Sequence, residues 1–519
     1  MKYPIGIQNF ESLREDGFFY VDKTRQLFNL VEGGKYYFLS RPRRFGKSLL
    51  LSTIKAYFEG KRELFKGLSI EQLEKEWKRY PVLHLDLNAE NYTTVSALEL
   101  LLEENLCRWE QEYGVTQIEH TLAARFRSVI RQAYVKNGNK VVILVDEYDK
   151  PLLQSIGNIS LQNDYRDILK AFYGNLKTCD EYIRFAMLTG VSKFSHVSIF
   201  SDLNNLTDIS LDGRYADICG ITSDEIDNCF TEGVANLAKC MAKSPAEVKE
   251  HLRQMYDGYH FSKEMAVDIY NPFSLLNALS SGNVDNYWFA TGTPTFLVKL
   301  LQAGNYDLQR FSTGGVTTRT LMSKETLDDE PIALFYQAGY LTIKGYDKEF
   351  SSYRLGFPNR EVEESFLHFL LPRYVGGSSE RSDSCLEHLV KDLKQGDIEG
   401  FMQRVQAFFA DTPYELIRDV ENHYQNVMFT ICRLMGYYTV AEYHTSRGRI
   451  DMMLATQKYR YVFEFKFDGT AERALSQIES RDYALPFVMD ERELVKVRVN
   501  FSSKTRNIDN WIVKKEKDR

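Results

Sequence analysis

Asp451, Glu464 and Lys466 follow one another in the order D-x12-E-x-K. Two carboxylates and an ammonium at that spacing suit metal-dependent cleavage of a phosphodiester. Carboxylates supply the hard oxygen ligands that Mg²⁺ takes. A neighbouring ammonium can steady an attacking water or the charge that develops on phosphorus. Asp451 closes a Gly448-Arg449-Ile450-Asp451 step, while Glu464 and Lys466 lie in the run Arg460-Tyr461-Val462-Phe463-Glu464-Phe465-Lys466. Successive strand side chains face opposite ways, so Glu464 and Lys466 are expected on one face and Phe463 and Phe465 in a core. An E-x-K pair on an edge strand also arises where alternating charge keeps a face wet. The preceding Gly-Arg-Ile-Asp at hairpin distance favours the catalytic reading.

A second phosphate signature lies near the start of the chain. Phe45-Gly46-Lys47-Ser48 fits the end of the phosphate-loop pattern G-x-x-x-x-G-K-[ST], with Arg41 where that pattern has its first glycine. A loop that runs into a helix start offers backbone N–H groups to phosphate oxygens. Arg44, Phe45, Gly46, Lys47, Ser48 and Leu49 are therefore the expected nucleotide-binding residues. Lys47 would reach the β- and γ-phosphates, and Ser48 would bind Mg²⁺. Asp146, at the end of Val141-Val142-Ile143-Leu144-Val145, would hold the metal's water shell, and Glu147 would polarise an attacking water. Thr189 ends the next strand and either senses the γ-phosphate or bonds backbone. Arg41, Arg43 and Arg44 flank the loop, as phosphate cations, as groups acting on a neighbouring subunit or as surface charge, and Arg214 is a further candidate arginine finger. ATP and Mg²⁺ are the expected cofactors.

The elements that must position these groups can be read from periodicity. Tyr36 to Ser40 reads as a strand, followed by the loop and by a helix with apolar spacing at Leu49, Leu50, Ile54 and Phe58. Pro81 to Leu87, Val141 to Val145 and Arg184 to Gly190 read as further strands between helical stretches. Alternating strands and helices indicate a parallel α/β sheet over about residues 1–215. From about 220 the pattern turns helical, with Asn271-Pro272 as a helix start. Residues 331–357 read as a helix ending near Gly339 followed by two strands, a winged-helix-like unit. The polar stretch 376–384 is the expected linker, and a helix is expected over 385–410. Residues 412–519 are expected to form a separate α/β domain.

Bulk composition narrows the function classes. At 519 residues the chain is too long for one core, so about two to four domains are expected. A net charge of −7 argues against a uniformly basic nucleic-acid coat, without excluding a local basic groove. No apolar run reaches the roughly 20 residues needed to cross a bilayer, and the first residues lack a signal peptide's apolar stretch. The 7 cysteines are scattered and lack CxxC spacing, which reads as reduced thiols in a cytoplasmic protein. The histidines show no metal spacing, and no serine-hydrolase elbow is present.

Longer motifs carry a family resemblance. Tyr3-Pro-Ile-Gly-Ile-Gln-Asn-Phe10, Phe19-Tyr-Val-Asp-Lys-Thr24, Tyr37-Phe-Leu-Ser-Arg-Pro-Arg-Arg-Phe-Gly-Lys-Ser48 and Val145-Asp-Glu-Tyr-Asp-Lys-Pro151 resemble the bacterial AAA-ATPase-like proteins. In that family the loop with arginine at position 41 is the usual form. Leu334 to Ile343 and Leu355 to Asn359 extend the likeness, so it covers most of the chain. The C-terminal pattern resembles the PD-(D/E)XK nuclease superfamily. The resemblance implies a P-loop NTPase parallel sheet (1–215), a helical and winged-helix-like lid region (216–375), a linker and helix (376–411) and a restriction-endonuclease-like α/β domain (412–519). It further implies that Asp451 and Glu464 bind metal and that Lys466 is the catalytic lysine. Glu421 is the expected third acidic ligand, with Glu442 the alternative, and Gln477 is a polar residue expected to contact phosphate or Lys466. Arg447, Arg449 and Arg473 would meet backbone phosphates or stay solvated. Segment 19–24 either contacts adenine or packs on the sheet. Nucleic acid, DNA above RNA, is the implied partner; no membrane is expected, and an oligomer is open. The competing reading is an ATP-dependent regulatory or nucleic-acid-binding protein with an inactive nuclease-like domain.

Overall fold

The computed structural model describes residues 1–116, 119–193, 205–290, 315–317, 321, 332–375, 379–410, 420–436, 440–446, 449–468 and 492–516. These fall into two compact units, 1–362 and 363–516.

In the first unit, β1 (Tyr36–Ser40), β2 (Val82–Asp86), β3 (Val141–Asp146), β4 (Ile183–Gly190) and β5 (Thr207–Asp208) form a parallel sheet in the order β2-β3-β4-β1-β5. Every residue of β1 and β3 is buried, as a continuous apolar run requires in a sheet covered on both faces. Leu83, Ile143 and Val145 pack against Leu102, Phe126 and Leu169 from the helices Val95–Tyr113, Leu122–Asn137 and Ile159–Tyr173. Phe126 stacks on Phe172 with ring centroids 4.2 Å apart. Each such buried side chain contributes about 1.5–3 kcal/mol. The strand order matters most for chemistry. Leu188 of β4 pairs with Phe38 of β1 on one side and Val145 of β3 on the other. Thr189 is thereby carried to the same sheet edge as the loop after β1 and the end of β3. That carboxyl edge is where open parallel sheets bind ligands.

A helical layer follows, with a short antiparallel pair, β6 (Ile221–Thr222) and β7 (Ile269–Tyr270). Thr222 and Glu225 form a reciprocal capping box on helix Ser223–Cys229, and Ser244 and Glu247 do the same for Pro245–Tyr256. Asn271 caps Pro272–Ser281 by accepting from the N–H groups of Phe273 and Ser274, as its sequence implies. Val234, Leu252, Tyr256 and Leu275 form the core of this layer, and Phe19 and Val21 pack against it. The expected helix and strand pair are present as Ile332–Gln337, β9 (Thr342–Asp347) and β10 (Ser352–Gly356). A third strand, β8 (Gly315–Thr317), pairs with β10 and has no counterpart in the sequence reading.

One buried carboxylate ties this layer to the phosphate loop. Glu361 is fully buried and accepts the Trp288 N–H at 2.6 Å and the Ser274 hydroxyl at 2.8 Å. The Trp288 indole N–H in turn donates to the Arg43 carbonyl at 3.1 Å. Burial pushes the Glu361 carboxyl up to about 7 against these donations.

The second unit contains helices Ser379–Gln395, Ile398–Ala410 and Val420–Met435. The stretch expected as a linker over 376–384 is therefore helical from Ser379 onward. Its serines and charges belong to a strongly amphipathic helix whose buried residues include Leu386, Leu389 and Leu393, a spacing that continues the helix back through the polar segment. The sheet runs β11 (Val440–Ser446), β12 (Arg449–Ala455), β13 (Tyr459–Phe467), β14 (Glu493–Ser502) and β15 (Asn507–Glu516) in that order. Only β13 and β14 are parallel; the other neighbours are antiparallel. Phe463 and Phe465 are fully buried while Glu464 and Lys466 are only partly so, which is the alternation expected from a period of two.

Candidate functional site

The loop Arg41 to Gly46 turns from β1 into helix Lys47–Phe58 through two left-handed residues, Arg44 at φ 68° and Gly46 at φ 93°. A Cβ at position 46 would meet nothing within 4 Å, so glycine supplies backbone freedom there rather than room. Arg44 lacks that freedom and carries strain on the order of 1–3 kcal/mol. Its guanidinium lies over the Phe273 ring, 4.8 Å from the centroid. Phe45 faces away from the loop's open side, in an aromatic group with Tyr259 and Phe261 at 4.8 and 5.4 Å. What Phe45 can offer a phosphate is its backbone N–H.

Arg41 is neither a phosphate cation nor surface charge, and those sequence readings of it are corrected. It is 1% exposed, with its guanidinium 4.1 Å from the Phe261 centroid. It donates to the carbonyls of Ser40 at 2.9 Å, Ser210 at 2.8 Å and Tyr215 at 3.0 Å. Carbonyl dipoles and a ring face meet the charge in place of a carboxylate. A loop that lacks the tight first glycine is thus pinned by an arginine. Arg214 is exposed and held in a forked pair with Asp212, at 2.6 Å for the closest contact.

Lys47 is 4% exposed and folded back on its own loop. Its ammonium donates to the carbonyls of Arg41 at 3.1 Å and Pro42 at 3.3 Å, and lies 3.4 Å from Glu147 Oε1. Glu147 follows β3 with φ 52°, a second strained position at the same edge. Asp146 is buried, and its Oδ1 accepts the Thr189 hydroxyl at 2.6 Å and the Glu147 N–H at 3.1 Å. The short bond of Thr189 therefore goes to the Asp146 carboxylate, with a longer one of 3.5 Å to the Val145 carbonyl. Ser48 stands half-buried in the first turn of the helix, so the hydroxyl and carboxylate donors present are the hard oxygens that suit Mg²⁺.

Asp149 was not singled out from the sequence, yet it organises this edge. It is fully buried and accepts the Ser192 N–H at 2.6 Å and hydroxyl at 2.7 Å. Burial and the Glu147 charge push its carboxyl up to about 6, while the Ser192 and Val191 donations pull it down. A Cβ on Gly190 would come within 2.5 Å of Asp149 Oδ1 and 2.6 Å of the Tyr148 ring, so only glycine fits that strand end. The signal was in the sequence as the full run Asp146-Glu-Tyr-Asp149, of which the first two residues alone match the common acidic pair.

A cavity of about 550 Å³ opens over this edge. Gly46, Lys47, Ser48, Leu49 and Glu147 line it together with Arg44, while Asp146 and Thr189 are not among its lining residues. Arg43, Arg44, Lys47 and Lys150 face it as cations, and Glu147 is the carboxylate among its described lining. A field of that sign favours a polyanion. Beside it lies an apolar recess of about 100 Å³ that shares Pro4, Leu49 and Leu276 and adds Phe19, Val21 and Ile221.

In the second unit, the register pairs Asp451 of β12 with Glu464 of β13, directly opposite one another in an antiparallel ladder. Lys466 lies two residues along β13, beside Asn500 of β14. Glu464 Oε2 is 3.3 Å from Nε of Arg498, its register partner on β14, and both side chains are largely buried. Arg498 was not foreseen; nothing in a single sequence pairs β13 with a strand beyond residue 491. Gln477, Arg447 and Arg473 lie outside the described residues, as do the side chains of Asp451, Glu421, Glu442 and Arg449. Among the described residues no three His, Cys, Asp or Glu side chains converge as a metal site.

Comparison with known proteins agrees with both halves. A family model described as "Predicted AAA-ATPase" matches residues 4–200, which take in β1 to β4, the phosphate loop and the acidic strand end. A model of the PD-(D/E)XK nuclease superfamily matches residues 419–511, which take in Asp451, Glu464 and Lys466. The uncharacterized protein in the vnfD 5′ region of Azotobacter chroococcum mcd 1 is 37% identical over 524 residues, covering 99% of this chain and 98% of that protein. A lysine folded onto its loop, an acidic strand end braced by the next strand and a nuclease-type carboxylate ladder further on have one common source: the chain belongs to the AAA-ATPase-like family and carries a PD-(D/E)XK nuclease-superfamily domain.

Proposed function

We propose that the first unit binds and hydrolyses ATP and that the nuclease-superfamily domain cleaves a phosphodiester in DNA, with nucleotide state governing cleavage. The observation that carries the first half is the meeting of Lys47, Ser48, Glu147, Asp146 and Thr189 at one edge of the sheet, below a cavity faced by four cations. Incoming phosphates are better acceptors for Lys47 than the two loop carbonyls that now hold it. Separating Lys47 from Glu147 frees the carboxylate to take a proton from the attacking water. The apolar recess beside Leu49 is sized for an adenine ring, with Pro4, Phe19 and Leu276 as its walls. Ser48 and Asp146 would hold Mg²⁺, which supplies charge neutralisation on the β- and γ-oxygens when bound.

For the second half the support is the register of Asp451 against Glu464, with Lys466 two residues on. A divalent ion held there would polarise the scissile phosphate and activate water, while Lys466 would orient that water. One observation favours the other reading, a domain that binds nucleic acid without cutting. The Arg498 guanidinium already neutralises Glu464 at 3.3 Å, leaving that carboxylate less available to a metal. Supercoiled plasmid incubated with and without Mg²⁺ and ATP decides between them. Metal-dependent nicking that disappears in Lys466→Ala supports cleavage; DNA binding without nicking under every condition supports the alternative.

A further inference from the structure

Phosphoryl transfer needs positive charge on the γ-phosphate as the bond to the β-phosphate breaks, beyond what the loop lysine gives. Arg41 is pinned in the core, Arg214 is held by Asp212 and the Arg44 guanidinium lies over the Phe273 ring, which leaves Arg43 and Lys150 as the other cations facing the cavity beside Lys47. Lys150 lines that cavity together with Lys47, Ser48 and Glu147. Its backbone N–H donates to the Glu147 carbonyl at 3.0 Å, a turn that returns the chain to the same cavity three residues after the proposed base. Its ammonium donates to the Asn88 carbonyl at 2.7 Å and to Asn88 Oδ1 at 3.0 Å, and Asn88 lines the cavity too. Both partners are neutral oxygens, the kind of acceptor to which Lys47 also donates. An anion in the cavity is a stronger acceptor than either. Burial lowers the Lys150 pKa, and the Glu147 charge opposes that shift, so the group senses the site electrostatically.

We propose that Lys150 is a catalytic cation acting within its own chain, leaving Asn88 to contact the γ-phosphate of bound ATP together with Lys47. This rests on the ATPase reading above. In the reaction water attacks the γ-phosphorus, its proton passes to Glu147, and the bond from that phosphorus to the bridging oxygen breaks. ADP and inorganic phosphate leave. Lys150 forms and breaks no covalent bond; it neutralises charge on the transferring group.

The test compares wild type, Lys150→Met, Lys150→Arg and Lys47→Ala by steady-state phosphate release and by titration with fluorescent ADP and a fluorescent non-hydrolysable ATP analogue. Lys150→Met should lower kcat about 100-fold or more with KM little changed, since the contact strengthens in the transition state. ADP affinity should stay at the wild-type level, with at most a few-fold loss of affinity for the triphosphate analogue. Lys150→Arg should restore most of the lost kcat and triphosphate affinity. Wild-type specific activity should not change on dilution, because the cation comes from the same chain. Wild-type kcat in Lys150→Met overturns the proposal, as does an equal loss of ADP and triphosphate binding, which would mark a structural role. Specific activity that rises with protein concentration equally in wild type and Lys150→Met overturns it in favour of a second copy's cation. A wild-type protein that binds no nucleotide, indistinguishable from Lys47→Ala, sinks the ATPase reading itself and this proposal with it.

Discussion

Lys47, the first residue of the helix after the loop, and Glu147, just past β3, face each other across 3.4 Å, an ammonium and a carboxylate that a nucleotide bound as proposed would part. Lys47→Ala should abolish ATP binding, because the loop loses the cation that its carbonyls store. Glu147→Gln should keep binding and slow hydrolysis about 100-fold or more, the usual size of a lost general base. Nucleotide titration and phosphate release separate the two; hydrolysis at the wild-type rate in Glu147→Gln would remove that residue from the chemistry.

Thr189 braces Asp146 through a 2.6 Å hydroxyl bond. Thr189→Val keeps the shape and removes the donor, leaving the buried carboxylate less satisfied by about 1–3 kcal/mol. Reduced hydrolysis, a lowered melting temperature and recovery of both in Thr189→Ser are expected. Unchanged melting in Thr189→Val would show that the bond carries no net stability.

The sequence made some of this legible and hid the rest for physical reasons. Lys47, Ser48, Asp146 and Glu147 stand in local motifs, and the alternation at Phe463, Glu464 and Phe465 is a two-residue period. Both are short-range facts that a string of residues displays. The position of β4 between β1 and β3 is not local, so Thr189 could be read as a backbone-bonded residue or a sensor but not as a brace for Asp146. Arg41 misled for the same reason. Its neighbours in the string are a phosphate loop, whereas its neighbours in space are Ser210, Tyr215 and Phe261. The helix from Ser379 was hidden by a polar stretch whose apolar partners begin only at Leu386.

Arg41 should behave as a core residue. Arg41→Met keeps the stem and deletes the fork, leaving three carbonyls without their donor at a cost of about 3 kcal/mol. Arg41→Lys should rescue little, because a single ammonium cannot reproduce the planar fork or its face-on contact with Phe261. Denaturant melts report this directly; a wild-type midpoint in Arg41→Met would contradict the assigned role.

Glu361 predicts a pH dependence of stability. Its carboxyl rises from an ordinary 4.5 to about 7 in the fold because burial disfavours the charge. The folded state therefore holds the proton more tightly than the unfolded chain does. That contribution is fully present below the unfolded value and is lost as pH rises through about 7. Wild type should lose stability relative to Glu361→Gln by an amount on the order of 2 kcal/mol between about pH 5 and pH 8.5. Paired thermal melts across that range check it, and a gap that does not move with pH refutes the buried titration.

The carboxylate ladder of the second unit makes its own prediction. Asp451→Ala and Lys466→Ala should each abolish Mg²⁺-dependent nicking with ATP binding unaffected, since the loop proposed to bind nucleotide belongs to the other unit. Arg498→Met should tighten metal binding at Glu464 by removing a competing positive charge, read by calorimetry with Mn²⁺. Cleavage that persists in Asp451→Ala would place the reaction elsewhere.

The pairing of β1 carries a consequence for synthesis. Tyr36 meets Ala186 and Ser40 meets Gly190, while the other edge of β1 waits for Thr207. Until the ribosome has delivered those segments, Tyr36, Phe38 and Leu39 have no ladder to join. Long-range parallel pairing forms slowly and leaves sticky intermediates. A nascent chain stopped before Gly190 would thus be an aggregation hazard rather than a smaller folded unit, and the loop that begins at Arg41 comes into being only after most of its unit has been translated.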